Sequence, residues 1–122
     1  MLEKKYRLRQ SKDYQAVYQN QNAVAVGSIV LYIRGNNGYG LPRVGLSLSK
    51  KLGNAVARNR MRRIIREAVR KHIGEIEPAN DYVFVGRRSL AKASLQRVEA
   101  DVVRALARKD CIITGSDGER QG

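Results

Sequence analysis

From residue 56 to residue 73 apolar side chains recur at helical spacing (Met61, Ile64, Ile65, Ala68, Val69), and arginine or lysine fills most of the positions between them. Such a stripe has to be buried, so the helix must lie on another layer while the remaining arc stays outside with its cations. Alternating segments stand on both sides of it. Residues 43–49 set Val44, Leu46 and Leu48 against Arg43, Gly45, Ser47 and Ser49, and residues 81–87 read as a further strand. Asn54 is suited to cap the helix, and Gly74 and Pro78 to stop it. Strand, basic helix and strand therefore form a crossover within one sheet.

Upstream, Ser11 is a suitable N-cap for a first helix running to about Asn20, with Tyr14, Val17, Tyr18 and Gln21 on one side. Residues 26–34 alternate as a strand: Ile29, Leu31 and Ile33 share one face, Ser28, Val30, Tyr32 and Arg34 the other. The loop Gly35-Asn36-Asn37-Gly38, with Gly40 and Pro42, reads as a hairpin connection to residues 43–49, and the two strands suit an antiparallel sheet with one open face. That loop also fits the GXXG pattern of KH domains, but a KH loop joins two helices and this one joins two strands. Ser94 caps a last helix to about Lys109, with Leu95, Val98, Val102, Ala105 and Leu106 as its buried stripe.

The expected fold is a small α/β (α+β) sandwich, a mixed sheet with three main helices in the order α-β-β-α-β-α, and the N-terminal arm has room for a further short strand. One domain spans residues 1–113. Residues 114–122 lack apolar side chains and are expected to be disordered.

Charge narrows the function. The chain carries 24 Lys and Arg against 11 Asp and Glu, a formal net charge of +13, and no acid occurs between Asp13 and Glu67. Nine cations stand unopposed in that interval, a field that attracts polyanions. Nucleic acid is the expected partner. An anionic membrane is a weaker candidate, because no amphipathic helix carries large apolar residues such as Trp or Phe on its buried face, and no long apolar run or signal peptide is apparent, so a cytoplasmic protein is expected. One cysteine, Cys111, and one histidine, His72, offer neither a disulfide nor a zinc cluster. His72 suits packing or the helix C-terminus, and Cys111 suits a small apolar filler.

On a helical wheel Asn59, Arg63, Arg66 and Arg70 fall opposite the stripe, with Arg58 and Arg62 on one flank and Arg60 and Lys71 on the other. Six arginines against one lysine between residues 58 and 71 favour bidentate phosphate contacts over diffuse charge. The run Lys50-Lys51-x-Gly53-Asn54-Ala55-Val56-x-Arg58-Asn59-Arg60-x-Arg62-Arg63-x-x-Arg66-Glu67 resembles the "RNR" signature of the bacterial ribonuclease P protein subunit. The likeness extends over about residues 5–109, through the helix Ser11-Lys12-Asp13-Tyr14-x-x-Val17-Tyr18, the strand Val30-Leu31-Tyr32, the run Arg43-Val44-Gly45-Leu46-Ser47, and Asp81-Tyr82-Val83. Tyr14 and Tyr18 stand where that family often has Phe.

The resemblance implies a subunit that helps remove the 5′ leader of precursor tRNA while a large catalytic RNA performs the cleavage, with Mg2+ held mainly by that RNA. It implies a left-handed crossover, where the general rule would give a right-handed one. It also implies a central cleft for the leader. The residues agree that this chain is not the chemical catalyst: hydrolysis needs an acid–base pair, an activated nucleophile or metal-holding carboxylates, and the basic surface has none.

The expected docking residues for the catalytic RNA are Lys50, Lys51, Arg58, Asn59, Arg60, Arg62, Arg63, Arg66 and Arg70. For the leader they are Tyr14, Tyr18, Tyr32, Ser28, Arg34 and Ser47, since aromatic rings in a basic groove stack single-stranded bases with little sequence preference. No catalytic residue, no metal ligand and no obligate protein partner is expected. The competing readings are a ribosomal-protein-like rRNA-binding module without processing activity, which explains the charge but not the signature, and a self-sufficient nuclease, which the absent carboxylates disfavour.

Overall fold

Strand β4 organises the sheet. The structure, a computed structural model, describes residues 2–111, so the 114–122 segment lies outside the described residues. The elements are α1 (Ser11–Gln19), β1 (Ala23–Val26), β2 (Ile29–Arg34), β3 (Arg43–Ser47), α2 (Ala55–His72), β4 (Asp81–Gly86) and α3 (Leu95–Arg108). The strand order is β1-β2-β4-β3. β1 pairs with β2 and β2 with β4, both antiparallel, while β3 and β4 run parallel.

The mixed sheet and its three helices match expectation, but two connections differ. Residues 26–34 are not one strand: Val26 ends β1, and Gly27-Ser28 turn the chain into β2. Gly27 supplies the turn with φ +54°, the left-handed region glycine adopts freely. Gly-Ser between two apolar runs is itself a two-residue hairpin signal. Among the described residues the N-terminal arm adds a single bridge, Arg7 to Val44. The loop after β2 is also no hairpin, because β4 lies between β2 and β3.

The reason is Asp81, fully buried at the start of β4. Arg43 donates Nε to its Oδ1 and Nη2 to its Oδ2, both at 2.8 Å, and Asn37 Nδ2 donates at 2.9 Å. Arg34 approaches from β2 at 3.8 Å. A buried carboxylate needs such partners, and here they come from the strands on both sides of β4 and from the loop between them.

Strand alternation then builds two cores. On one face Ile29, Leu31, Ile33, Val44, Tyr82 and Phe84 pack with Met61, Ile65, Ala68 and Val69 of α2 and with Val98, Val102, Ala105 and Leu106 of α3. Each large apolar side chain so buried contributes about 1.5–3 kcal/mol. On the other face Leu8, Val17 and Val83 pack with Tyr14, Tyr18, Tyr32 and Val85 under α1. The face expected to be open is therefore half covered.

Helix ends follow local chemistry. Asn54 Oδ1 accepts from Ala57 N at 2.9 Å and Ser94 Oγ from Arg97 N at 3.1 Å, as expected. Ser11 is not the cap of α1: extended Gln10 holds that position without a side-chain bond, and Ser11 is already helical. α2 ends by tightening into the 3-10 turn Ile73–Glu75, which contains Gly74. His72 joins helices, its Nδ1 2.9 Å from Glu75 and its Nε2 3.1 Å from Glu99, and the bonds from His72 and Lys71 hold the Glu99 carboxyl below its ordinary range.

Gly45 on β3 is where α1 meets the sheet. A Cβ there would stand 2.6 Å from the Tyr14 ring. Gly45→Ala is expected to lower stability by about 1–3 kcal/mol through overpacking, measured by urea denaturation.

Candidate nucleic-acid interface

Register places the expected groove residues. On the α1 face Tyr32, Val83 and Gly45 stand side by side across β2, β4 and β3, and one step along the strands Val30, Val85 and Ser47 form the next row. α1 crosses above the first row: Tyr14 lies on Gly45, and the Tyr18 ring meets Tyr32 edge-on with centroids 5.1 Å apart. Val30 and Val85 stay only half-buried beside it, as do Ser47, Tyr14, Tyr18 and Tyr32. The result is a groove with a floor of Tyr32, Val30, Val85 and Ser47 and a tyrosine wall.

Tyr14 is the most constrained member. Leu46 N donates to its hydroxyl at 3.1 Å, and burial pushes the phenol above its ordinary pKa, with the Leu46 bond and Arg66 acting against that shift. Two expected residues are elsewhere. Ser28 sits in the β1–β2 turn, 2% exposed, its Oγ donating to Asp101 Oδ2 at 2.6 Å, so it faces α3 rather than the groove. Arg34 lies on the correct face but at the far end, paired with Asp81. Val30 and Val85 belong to the groove without having been expected there, although each stands two residues from another member of that face, Tyr32 and Val83.

The cationic helix divides into two surfaces. Asn59, Arg60, Arg63 and Arg70 are exposed, as are Lys50 and Lys51 in the 3-10 turn Lys50–Leu52 before it. Arg58, Arg62 and Arg66, four residues apart, are half-buried, and the Arg58 Nε is buried without a hydrogen-bond partner. The wheel puts Arg66 on the outer arc, but the arm and α1 fold against it. Burial, followed by repulsion from Arg7 and Arg62, holds its guanidinium below the ordinary value. Arg7 carries no local signal, since it reaches Arg66 only in the folded chain.

Arg70 is less available than expected. Glu67 engages it through two bonds, Nε to Oε1 at 3.1 Å and Nη2 to Oε2 at 2.5 Å. Arg62 Nη1 similarly donates to Asn59 Oδ1 at 2.8 Å.

Several groups that could perform acid–base chemistry are engaged with partners or buried in the fold. Asp81 and Asp13 face Arg43, Asp101 holds Ser28, and Cys111 is buried with its thiol pushed up by desolvation. Among the described residues no three His, Cys, Asp or Glu side chains gather as a metal site, and no helix is long and apolar enough to cross a membrane.

Fold and site define a class: a small α/β protein with an arginine-rich helix on one side of a mixed sheet and an aromatic-floored groove on the other. The family model for Ribonuclease P matches residues 2–110. The ribonuclease P protein component of Listeria monocytogenes serotype 4b is 34% identical over 105 residues, covering 86% of this chain and 88% of that protein. The Staphylococcus aureus RNase P protein structure superposes with a TM-score of 0.81 at 31% identity, covering 88% of this chain and 97% of the other. The Thermotoga maritima RNase P protein gives 0.76 at 26% identity, over 84% and 96%. The chain belongs to the ribonuclease P protein family.

Tyr14→Phe is expected to cost about 0.5–1.5 kcal/mol of stability by removing the acceptor for Leu46 N, while keeping the ring on Gly45; thermal melting measures it.

Proposed function

We propose that this chain is the protein component of ribonuclease P, assisting a catalytic RNA in removing the 5′ leader from precursor tRNA. The observation that carries this reading is the separation of two surfaces suited to different strands. Arg60, Arg63, Lys50 and Lys51 face outward from α2 and the turn before it, free to meet phosphates of the catalytic RNA. Tyr18, Tyr32, Val30 and Val85 form a stacking surface on the other sheet face, wide enough in chemistry to accept any base of a leader. Arg62 and Arg66 border it near Tyr14, crowded cations whose mutual repulsion an approaching phosphate would relieve.

In this reading the protein binds and orients, and hydrolysis, with its Mg2+ held mainly by RNA, belongs to the RNA partner. The side chains at the groove include no carboxylate or imidazole to move a proton. A purely ribosomal-type rRNA binder would need the cationic helix but would leave the tyrosine groove without a use.

Processing assays test the proposal. Protein alone is expected to leave precursor tRNA intact at any Mg2+ concentration and to accelerate cleavage when the cognate catalytic RNA is added; cleavage by RNA-free protein would overturn the reading. With about six phosphates neutralised, log affinity for the catalytic RNA should fall against log salt with a slope of about −4 to −5.

Tyr18→Ala is expected to weaken binding of leader-bearing precursor by about 1–3 kcal/mol and to leave mature tRNA unaffected. Equal losses on both substrates, compared by titration, would place the leader elsewhere.

A further inference from the structure

A second set of cations lies outside both surfaces. From Arg87 to Lys109 the chain carries seven Lys and Arg against two acids, Glu99 and Asp101, and both acids are engaged inward. Glu99 meets Lys71 Nζ at 3.3 Å and His72 Nε2 at 3.1 Å, tying α3 to α2. Asp101 is fully buried and holds the backbone N and the hydroxyl of Ser28. Most surface cations of this segment are left without local compensation. Arg97 has the Asp101 carboxylate at 3.7 Å yet is 65% exposed. Arg88, Lys92, Arg104 and Arg108 are exposed and form no ion pair with a described carboxylate.

These side chains are also aligned. Arg97, Arg104 and Arg108 project within about 40° of one another, about 10 and 6 Å apart along the α3 axis. Ala100 and Ala107 flank them, so nothing bulky on that side separates the guanidinium groups from a flat ligand. A solvated helix face ordinarily mixes signs at i,i+4; along this one the acid at that spacing is Asp101, which is buried and bound to Ser28, so Arg104 and Arg108 keep their charge unopposed.

The stripe is continuous with the α2 surface through the turns at the end of β4. Leu52 from the Lys50–Leu52 turn and Leu90 from the Arg88–Lys92 turn converge on Gly86, where a Cβ would stand 2.9 and 2.7 Å from them. That packing sets Arg88 and Lys92 beside the lysine-bearing turn at the start of α2, and Lys92 leads directly into the Ser94 cap of α3.

We propose that Arg88, Lys92, Arg97, Arg104 and Arg108 form a second docking track for the phosphate backbone of the same catalytic RNA, extending the α2 surface onto α3. This rests on the proposed function above. The track is electrostatic and reads no bases, because it offers guanidinium and ammonium groups without an aromatic platform.

The test is binding of the catalytic RNA by the full chain carrying Arg88→Ala, Lys92→Ala, Arg104→Ala and Arg108→Ala together, over a salt series. The expected result is a salt slope shallower by about 3, at roughly 0.7–0.9 for each phosphate no longer neutralised, and weaker binding at low salt. Discrimination between precursor with and without leader should not change. Restoring charge with Lys at 88, 104 and 108 and the native Lys92 should return most of the slope. An unchanged slope, while Arg60→Ala still weakens binding, would overturn the track and leave the proposed function standing. No binding by the wild-type chain would overturn both. Should the fourfold variant fail to fold, Arg104→Ala with Arg108→Ala, expected to lower the slope by about 1.5, decides instead.

Discussion

The rest of the structure depends on the buried carboxylate of Asp81. It takes two bonds from Arg43 on β3, one from Asn37 in the connecting loop, and the field of Arg34 on β2. Leaving such a charge without a partner typically costs about 3–5 kcal/mol, so the network strongly favours the arrangement in which β4 lies between the other two strands. Once β4 is there, β3 and β4 run parallel and the chain between them has to cross over the sheet. α2 therefore packs on one face, and α1 is left to cover part of the other. The two candidate RNA surfaces are separated by this topology.

The same logic distributes the charge. Acids are drawn inward or into local pairs: Asp81 and Asp13 to Arg43, Asp101 to Ser28, Glu67 to Arg70, Glu99 to Lys71 and His72. Much of the +13 formal charge therefore appears on the outside as uncompensated arginine and lysine. Where cations crowd, as at Arg7, Arg62 and Arg66, the fold holds repulsion that a polyanion can relieve.

Tyr14 shows why a structural role and the proposed binding role cannot be separated residue by residue. Its ring fills the space that Gly45 leaves, its hydroxyl accepts from Leu46, and its remaining edge borders the groove. Tyr18 and Tyr32 hold each other edge-to-face, so the wall and floor are set before a ligand arrives. Preorganisation of this kind lowers the ordering cost of binding.

Periodicity and turn chemistry determined the three helices, the caps at Asn54 and Ser94, the alternating faces of β2, and the arginine surface of α2, because these depend on residues two to four apart. The hairpin at Gly27-Ser28 is legible in the same way, although the alternation through residues 26–34 hides it. What only the tertiary structure decided is which strand lies beside which, and so the burial of Ser28 on Asp101, the pairing of Arg34 with Asp81, and the approach of Arg7 to Arg66. Each joins residues far apart in the chain. Local patterns specify which face of an element is apolar, but a buried charge accepts whatever distant partners the packed sheet brings to it.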